Sequence, residues 1–292
     1  MLTIFTPAYN RAYILHVLYE SLCSQTSQNF EWVLVDDGST DNTETLAKQW
    51  VRDKKIQMRY IKQENAGKPI AHNRGVKEAR GELFVCVDSD DFLVDTAVEE
   101  IEKLGRKIKE TNLVGILAFR GYPDSTPLTT ISNDKVKQST LRDAYNKYGL
   151  HGDTMLIYKT DIIKRFHFVV AEGEKFIPET YLYNQIDNVG KMYIYRKALY
   201  MCEYLPDGLT ANVAKNLFDN YKSYVIYINS RLTVTESFFD KMKDTMRYEA
   251  IMLAHKEKHI IRDAIYPWMA LIGYIPSKII AKKRYGSLTK SQ

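Results

Sequence analysis

The feature that most restricts the fold of this chain is a regular alternation of two hydrophobic patterns over its first 120 residues. Short apolar runs, rich in β-branched and aromatic residues, predict buried strands over residues 2–5, 32–35, 58–61, 83–87 and 116–119. Between these runs, the spacing of apolar residues predicts helices over 14–22, 43–51, 70–79 and 96–109. Because strand–helix–strand repetition builds a mostly parallel sheet with helices on both faces, we predict a Rossmann-like α/β fold.

This rhythm changes after about residue 120. A loop-like segment rich in Pro, Ser, Thr and Asp is followed by strand patterns over 155–158 and 192–204 and by helical patterns over 179–189, 212–231 and 235–259. We therefore predict one domain over residues 1–210, in two halves that meet at residue 120/121, and a C-terminal helical region over 211–292.

Composition excludes several classes of protein. The chain is 45% hydrophobic and 26% charged, which is the balance of a packed domain. The three cysteines (Cys23, Cys86 and Cys202) are far apart and lack CxxC spacing, which argues against a disulfide framework or a structural zinc site. We see neither a signal-peptide pattern nor an apolar run of membrane-spanning length, so we expect a reducing, cytoplasmic compartment.

The basic charge of the chain is confined to its C-terminal end. Residues 256–292 hold eight basic and two acidic side chains, a net charge of +6, whereas the first 255 residues sum to −1. A near-neutral body argues against binding to nucleic acid over the whole surface.

Polar motifs follow three of the predicted strands. They read Thr6-Pro7-Ala8-Tyr9-Asn10, then Asp36-Asp37-Gly38-Ser39, then Asp88-Ser89-Asp90-Asp91, with Asn65-Ala66-Gly67-Lys68 and Asn73-Arg74-Gly75 between the second and the third. Parallel sheets bind ligands at the carboxyl ends of their strands, so these motifs should meet at one edge. Neither GxGxxG nor GxxxxGK[ST] is present, which disfavours dinucleotide oxidoreductases and P-loop nucleotidases.

The acidic motif predicts a cation site. At an extended strand end alternate side chains point the same way, so Asp88 and Asp90 can converge on one hard cation, Mg²⁺ or Mn²⁺. The alternative is a solvated acidic turn that caps the next helix through Asp91 or Asp95.

Taken in order, these motifs closely resemble those of the family 2 inverting glycosyltransferases of the GT-A fold, over roughly residues 1–210. The resemblance implies that residues 1–120 bind a nucleotide-sugar, that residues 121–210 bind the acceptor and that Asp90 holds the metal. It places Asp37, or alternatively Asp36, on the base. The other nucleotide-sugar contacts it implies are Pro7, Ala8, Tyr9, Asn65, Lys68, Arg74, Asp88 and Ser89.

The chemistry of these side chains suits such roles. A carboxylate can accept the N3–H of uracil, and an aromatic ring such as Tyr9 can stack on a base. Lys68 and Arg74 offer cations to a diphosphate, and the alternative is that both are solvated surface residues.

An inverting transfer also needs a carboxylate to take the proton of the acceptor hydroxyl. Relatives carry a Glu-Asp pair at a helix start, and this chain has Glu179-Thr180, so we assign the base to Glu179 and keep Asp153 as its rival. The structural alternative for Glu179 is an acidic residue favoured by the helix dipole.

The tail, residues 260–280, is rich in apolar and aromatic residues and is followed by Lys282-Lys283-Arg284. Pro267 and Pro276 predict interruptions of this segment, so we do not expect a continuous membrane-spanning helix. Apolar residues bordered by cations suit the headgroup layer of an anionic inner membrane leaflet, and the alternative is packing on the tail's own domain or on a second subunit.

We therefore predict a metal-dependent glycosyltransferase that uses Mn²⁺ or Mg²⁺. Its predicted donor is a nucleotide-diphosphate sugar, with a UDP-sugar as the first candidate. Its predicted acceptor is a saccharide or a lipid-linked molecule in the assembly of a cell-surface polysaccharide. We expect the enzyme at the inner face of the cell membrane, and its oligomeric state stays open. One alternative is a nucleotidyltransferase, although residues 6–10 lack the glycine-rich loop with a basic residue usual in that class. The other is a non-catalytic scaffold of the same fold, which Thr180 favours.

Overall fold

The computed structural model describes residues 1–124, 126–202 and 212–290. Contacts divide the chain into two compact units, each described by itself below. The first consists of Met1–Phe168 and residues 182–202, and the second of Val169–Tyr181 and the described residues from 212 on. The boundary predicted at residue 210/211, and the last two residues of the strand predicted over 192–204, lie outside the described residues.

The described part of the first unit contains eleven strands: β1 (Leu2–Ala8), β2 (Phe30–Asp36), β3 (Met58–Lys62), β4 (Leu83–Cys86), β5 (Phe92–Leu93), β6 (Gly115–Gly121), β7 (Thr130–Ile131), β8 (Gln138–Ser139), β9 (Leu150–His151), β10 (Thr154–Lys159) and β11 (Met192–Met201). Its helices are α1 (Leu15–Cys23), α2 (Thr43–Asp53), α3 (Lys68–Glu78), α4 (Ala97–Ile108), α5 (Leu141–Lys147) and α6 (Thr160–Ile163). Helix α7 (Thr180–Ile186) precedes β11. The predicted strands and helices of the first 120 residues are thus confirmed to within three residues at their ends.

Nine of these strands form one sheet, in the order β3-β2-β1-β4-β10-β6-β11-β5, with β8 added to β11. The four strands from β3 to β4 are parallel, as predicted. Beyond β4 the sheet is mixed, because β10 runs antiparallel to both β4 and β6, whereas β11 is again parallel to β6. The prediction of a mostly parallel sheet therefore holds for the first half, and the local strand patterns did not reveal the reversed direction of β10.

Helices cover both faces of the sheet, as predicted. On one face, apolar side chains of α1, α2 and α4 join Ile4 and Trp32 in one hydrophobic core. The opposite face carries Phe5, since successive residues of a strand point to opposite sides. There the ring of His72, on α3, meets the rings of Phe5 and Phe84 edge-on, with centroids 5.5 Å apart in both pairs.

The second unit is helical, which agrees with the predicted C-terminal helices. It contains α8 (Val213–Asp219), α9 (Tyr221–Val234), α10 (Phe238–Ala254), α11 (Pro267–Tyr285) and a final 3-10 turn (Leu288–Lys290). Glu174 caps α9, because its two carboxylate oxygens accept the backbone N–H groups of Lys222 and Ser223 at 3.0 and 2.7 Å. No helix among the described residues is long and apolar enough to cross a bilayer.

The prediction that Pro276 interrupts the tail was wrong, because α11 begins at Pro267 and continues through Pro276 to Tyr285. Pro267 stands in the first turn, where a missing N–H costs nothing. Pro276 deprives only the carbonyl of Ile272 of its donor, and both residues are exposed. Packing of the opposite side of the helix onto α10 outweighs this local loss.

His72 makes the stability of the fold depend on pH. Burial, and next the charge of Lys68, lower the pKa of the His72 imidazole from 6.5 to about 3. Between these two values the unfolded chain binds a proton that the folded protein does not, so stability falls as the pH falls. We expect the wild-type free energy of unfolding to drop by about 2 kcal/mol more than that of His72→Leu between pH 7 and pH 5, measured by urea denaturation.

The control for this comparison is His16→Leu on α1, whose side chain is exposed. It should keep the wild-type pH dependence, because an exposed imidazole is solvated in both states. An identical pH dependence in wild type and His72→Leu would contradict the role given to His72.

Candidate functional site

The polar motifs meet at one edge of the sheet. The parallel strands β1, β2 and β4 end there, β6 and β11 end there as well, and β10 begins there because it runs the opposite way. This edge therefore gathers residues 7–10, 36–39, 88–91 and 120 together with Asp153, which immediately precedes β10. The motifs therefore meet at one edge of the sheet of the first unit, as the sequence predicted.

The segments that follow β1 and β2 are joined by Asn10. The side-chain oxygen of Asn10 accepts the backbone N–H of Thr40 at 2.8 Å. The backbone N–H of Asn10 donates to the hydroxyl of Ser39 at 2.9 Å. Asn10 adopts φ 54°, a left-handed conformation that Asn tolerates better than most residues. Beside it, the side chain of Tyr9 is 49% exposed, so its ring is accessible for stacking.

The two candidate base-reading carboxylates differ in their surroundings. Asp36 is fully buried, and it accepts the N–H of Ser39 at 2.7 Å and the hydroxyl of Tyr60 at 2.6 Å. The arrangement at Asp36 is that of a buried turn. Burial, and next the hydrogen bond to Asp36, raise the pKa of Tyr60.

Asp37 ties the loop before α3 to the end of β2. One of its oxygens accepts from the side chain of Gln63 at 2.8 Å and from the N–H of Ala66 at 2.9 Å, and the other accepts the N–H of Gly67 at 2.7 Å. Asn65 completes this link, since its side-chain amide donates to the carbonyl of Asp37 at 2.8 Å. Because a carboxylate has about four acceptor positions, these three bonds leave room for one more donor.

An ion pair between α3 and the acidic motif lies next to these loops. Lys68 opens α3, and its Nζ lies 2.6 Å from an oxygen of Asp88. Burial alone would raise the pKa of the Asp88 carboxyl, but Lys68 and then Arg120 outweigh it and lower that pKa. For Asp90 the balance is opposite, because burial and the charge of Asp88 raise its pKa.

Whether the acidic motif can hold a cation depends on which oxygen-bearing side chains lie near it. No group of three or more His, Cys, Asp or Glu side chains that could hold a metal is found in residues 1–124, 126–202 and 212–290. The donors at hand are Asp90 and Asp88, whose mutual repulsion a cation would relieve. Mg²⁺ and Mn²⁺ are held in nucleotide sites by one or two carboxylates plus phosphate oxygens, so these residues fit such an ion.

Two residues that the sequence did not single out, Tyr200 and Arg120, support the acidic motif. The hydroxyl of Tyr200, on β11, accepts the N–H of Asp88 at 2.9 Å and donates to Asp91 at 2.6 Å. The guanidinium of Arg120 stacks on the Tyr200 ring at 3.9 Å and lies 3.9 Å from Asp91. Burial, and next the charge of Asp88, raise the pKa of Asp91 to about 7. Tyr200 reaches the motif because β11 pairs with β6 beside Arg120 and with β5 beside Leu93.

Four other predicted site residues, Arg74, Ser89, Ala8 and Pro7, are held by contacts within α3 or are partly or fully buried. The guanidinium of Arg74 pairs with Glu78, one turn further along α3, at 3.0 Å. Ser89 is buried, Ala8 is buried and Pro7 is half-buried.

The two candidate bases belong to different units. Asp153 belongs to the first unit, where its carbonyl accepts the hydroxyl of Thr129. Glu179 belongs to the second, is exposed and precedes α7. Thr180, which replaces the expected second acid, bonds to the hydroxyl of Tyr227 at 3.0 Å.

Comparison of the sequence with known families gives one clear result. The profile described as "Glycosyl transferase family 2" matches residues 3–168. Among curated proteins, the chain is 24% identical over 165 residues to the poly(ribitol-phosphate) beta-N-acetylglucosaminyltransferase TarP of Staphylococcus aureus, covering 56% of this chain. The chain spans 50% of TarP. It is 35–37% identical to three other bacterial glycosyltransferases over 97–102 residues, which are 33–35% of this chain and 14–16% of those proteins.

Solved structures show the same fold. The S. aureus TarS fragment 1–349 in complex with UDP-GlcNAc aligns with a TM-score of 0.62 at 17% identity, over 99% of this chain and 90% of that chain. A mannosyltransferase from Pyrobaculum calidifontis in complex with GDP-Man and Mn²⁺ aligns with a TM-score of 0.56 at 15% identity, over 98% of this chain and 75% of that chain. At these identities the likeness concerns the fold alone.

Tyr200→Phe tests the support of the acidic motif. Loss of the hydroxyl removes the acceptor of the Asp88 N–H and the hydrogen bond to the buried carboxyl of Asp91, which keeps only the guanidinium of Arg120 at 3.9 Å. We therefore expect the free energy of unfolding to fall by about 1–3 kcal/mol in urea denaturation.

The matched control is Tyr193→Phe on the same strand, whose hydroxyl bonds to Lys107 at an exposed position. We expect it to change stability by less than about 0.5 kcal/mol. Equal effects of the two substitutions would show that the Tyr200 hydroxyl gives no special support.

Proposed function

The chain belongs to glycosyl transferase family 2, and from this premise we propose that it transfers a sugar, with inversion, from a UDP-sugar to a hydroxyl group of a cell-surface saccharide or a lipid-linked acceptor. UDP-GlcNAc is the first donor to test, because TarS binds it. The Pyrobaculum mannosyltransferase was solved with GDP-Man, so GDP-sugars form the competing donor class.

One observation carries this proposal. Asp88 and Asp90 lie at the carboxyl edge of the sheet, next to a lysine that α3 presents at 2.6 Å from Asp88. A divalent cation on Asp90 and the ammonium of Lys68 would together give two cationic groups for a diphosphate. When bound, the Mg²⁺ or Mn²⁺ would neutralise the charge that develops on the departing nucleotide.

The nucleoside would lie over the segments that follow β1 and β2. Tyr9 offers an exposed ring for stacking, with Pro7 and Ala8 beside it in the chain. Both carboxylates are buried, Asp36 at 0% and Asp37 at 4% exposure. The remaining acceptor position on Asp37 suits the N3–H of uracil, whereas the bonds of Asp36 to Ser39 and Tyr60 suit a structural role. On the ribose and diphosphate side we propose Asp88, Ser89 and Lys68. Asn65 and Arg74 would act through the β3–α3 loop and through α3, to which their contacts tie them.

In the proposed reaction, an acceptor hydroxyl attacks the anomeric carbon from the side opposite the nucleotide. The new C–O bond forms as the bond between that carbon and the diphosphate oxygen breaks, and the nucleotide diphosphate leaves. A carboxylate takes the hydroxyl proton, for which we propose Glu179 first and Asp153 second.

The acceptor class suggests where the enzyme works. A lipid-linked or cell-surface acceptor is assembled at a membrane, so we propose that the protein works at the inner face of the cell membrane and contacts it through the C-terminal region.

Asp90→Asn tests the cation site. We expect the divalent-ion dependence of UDP binding, measured by calorimetry with Mn²⁺ and with Mg²⁺, to disappear, and transfer to fall by at least about 100-fold, because the neutral amide binds a hard cation far more weakly. Asp134→Asn, a change of the same type at an exposed loop position, should leave both readouts unchanged. Transfer that persists in Asp90→Asn with every nucleotide sugar would contradict the assignment.

Glu179→Gln and Asp153→Asn compare the two bases. Loss of the base should lower kcat for transfer by about 10²–10⁴-fold while UDP binding stays within a factor of two or so of wild type. The variant that shows this pattern identifies the base. If neither does, the proton acceptor is another group.

A further inference from the structure

Helices α10 and α11 present an apolar surface that no described residue covers. Its members are large, exposed apolar side chains of the second unit: Phe238, Phe239, Trp268, Leu271, Ile272, Ile275 and Ile279. Phe239 is 75% exposed and Ile275 is 74% exposed, and the rings of Phe238 and Trp268 stack with centroids 6.1 Å apart. We call this set the α10–α11 apolar surface. Contiguous exposed apolar groups of this size mark interaction sites.

The outward direction of this surface follows from how α11 packs. Small residues at helical spacing (Ala270, Gly273, Ser277 and Ala281) form the buried side of α11. The hydroxyl of Ser277 donates to the buried carboxyl of Glu249 at 2.7 Å, and a Cβ on Gly273 would lie 3.0 Å from Met246 on α10. At about 100° per residue, the five apolar residues of α11 occupy the opposite side of the helix. Close packing on one side therefore keeps the apolar stripe exposed on the other.

Cations border the surface. Lys278, Lys282 and Lys283 are exposed, Arg284 is half-exposed, and α11 contains no acidic residue. On the helical wheel, Lys278 and Lys283 flank the apolar stripe on its two sides, and Lys282 lies in line with the stripe, beyond Ile279 toward the end of the helix. Aromatic and aliphatic groups edged by cations suit the boundary between acyl chains and anionic headgroups.

We propose that the α10–α11 apolar surface docks on an anionic lipid surface, with its apolar side chains at the headgroup–acyl boundary and the lysines of α11 on the lipid phosphates. A second copy of the chain is a poorer occupant of the α11 part of the surface, because two copies of α11 face to face would bring four cations against four. The carboxylates nearest the surface, Glu236 and Asp240, lie at the start of α10, beside Phe238 and Phe239. The inference extends the membrane part of the proposed function and rests on it for its biological meaning.

Vesicle flotation of the full chain tests the proposal without any measurement of sugar transfer. We expect the wild type to float with vesicles of phosphatidylcholine and phosphatidylglycerol, and to bind pure phosphatidylcholine much more weakly. Trp268 is the exposed one of three tryptophans, since Trp32 and Trp50 are buried. A blue shift of the emission with the mixed vesicles, absent in Trp268→Phe while flotation persists, would place this ring in the lipid.

Two pairs of variants assign the binding to its parts. Leu271→Gln with Ile275→Gln should abolish flotation, whereas Val51→Gln, an exposed apolar residue on α2, should not. Lys282→Gln with Lys283→Gln should weaken partitioning into the mixed vesicles by about 25-fold, at about fivefold per cation. Lys54→Gln with Lys55→Gln, which removes two exposed cations of the first unit, should not weaken it.

Circular dichroism and UDP binding of each variant, without vesicles, separate folding and donor binding from docking. Wild-type protein that fails to float with the mixed vesicles, or Leu271→Gln with Ile275→Gln that floats like wild type, would overturn the proposal. So would a wild-type dimer, seen by light scattering, that these two substitutions convert to a monomer without any vesicle binding. Failure of UDP binding with intact flotation would count against the proposed function and leave the docking surface standing.

Discussion

The site depends most on the hydrogen bonds that the carboxylate of Asp37 accepts from the loop before α3. This carboxylate accepts the backbone N–H groups of Ala66 and Gly67, and so fixes the loop that leads into α3 at the end of β2. Gly67 adopts φ 91°, where a side chain would be strained, and α3 begins at the next residue. The position of Lys68 beside Asp88 follows from where that helix begins. One carboxylate thereby couples the segment expected to hold the base to the lysine expected to hold the diphosphate.

A second constraint is the balance of charge at the sheet edge. Asp88, Asp90 and Asp91 follow one another closely, and burial raises the pKa of the last two. Lys68 and Arg120 offset this repulsion from opposite sides, one from α3 and one from the end of β6. The folded protein thus holds a cluster of carboxylates only partly compensated by its own cations, which is the electrostatic condition that favours an added divalent ion.

Much of the first unit could be predicted from sequence because its information is local. Buried parallel strands are continuous apolar runs, so β1, β2, β3 and β4 stood out, and polar motifs directly follow β1, β2 and β4. The direction of β10 and the support from Tyr200 and Arg120 could not be predicted, since strand pairing is a long-range property that the pattern of a single strand does not encode. The composition of residues 260–280 predicted an apolar tail bordered by cations, but helix rules put a break at Pro276 that packing against α10 overcame.

By itself, the sequence determined the strand and helix positions of the first 120 residues, the family to which the chain belongs and the set of polar residues that follow the strands. These depend on local hydrophobic period and on short motifs. Only the tertiary structure decided which carboxylate is enclosed in a turn and which keeps an acceptor position, that Lys68 rather than Arg74 pairs with Asp88, and that α11 keeps an apolar side exposed. Each of these is a contact between segments distant in the chain, and such contacts exist only once the segments have packed.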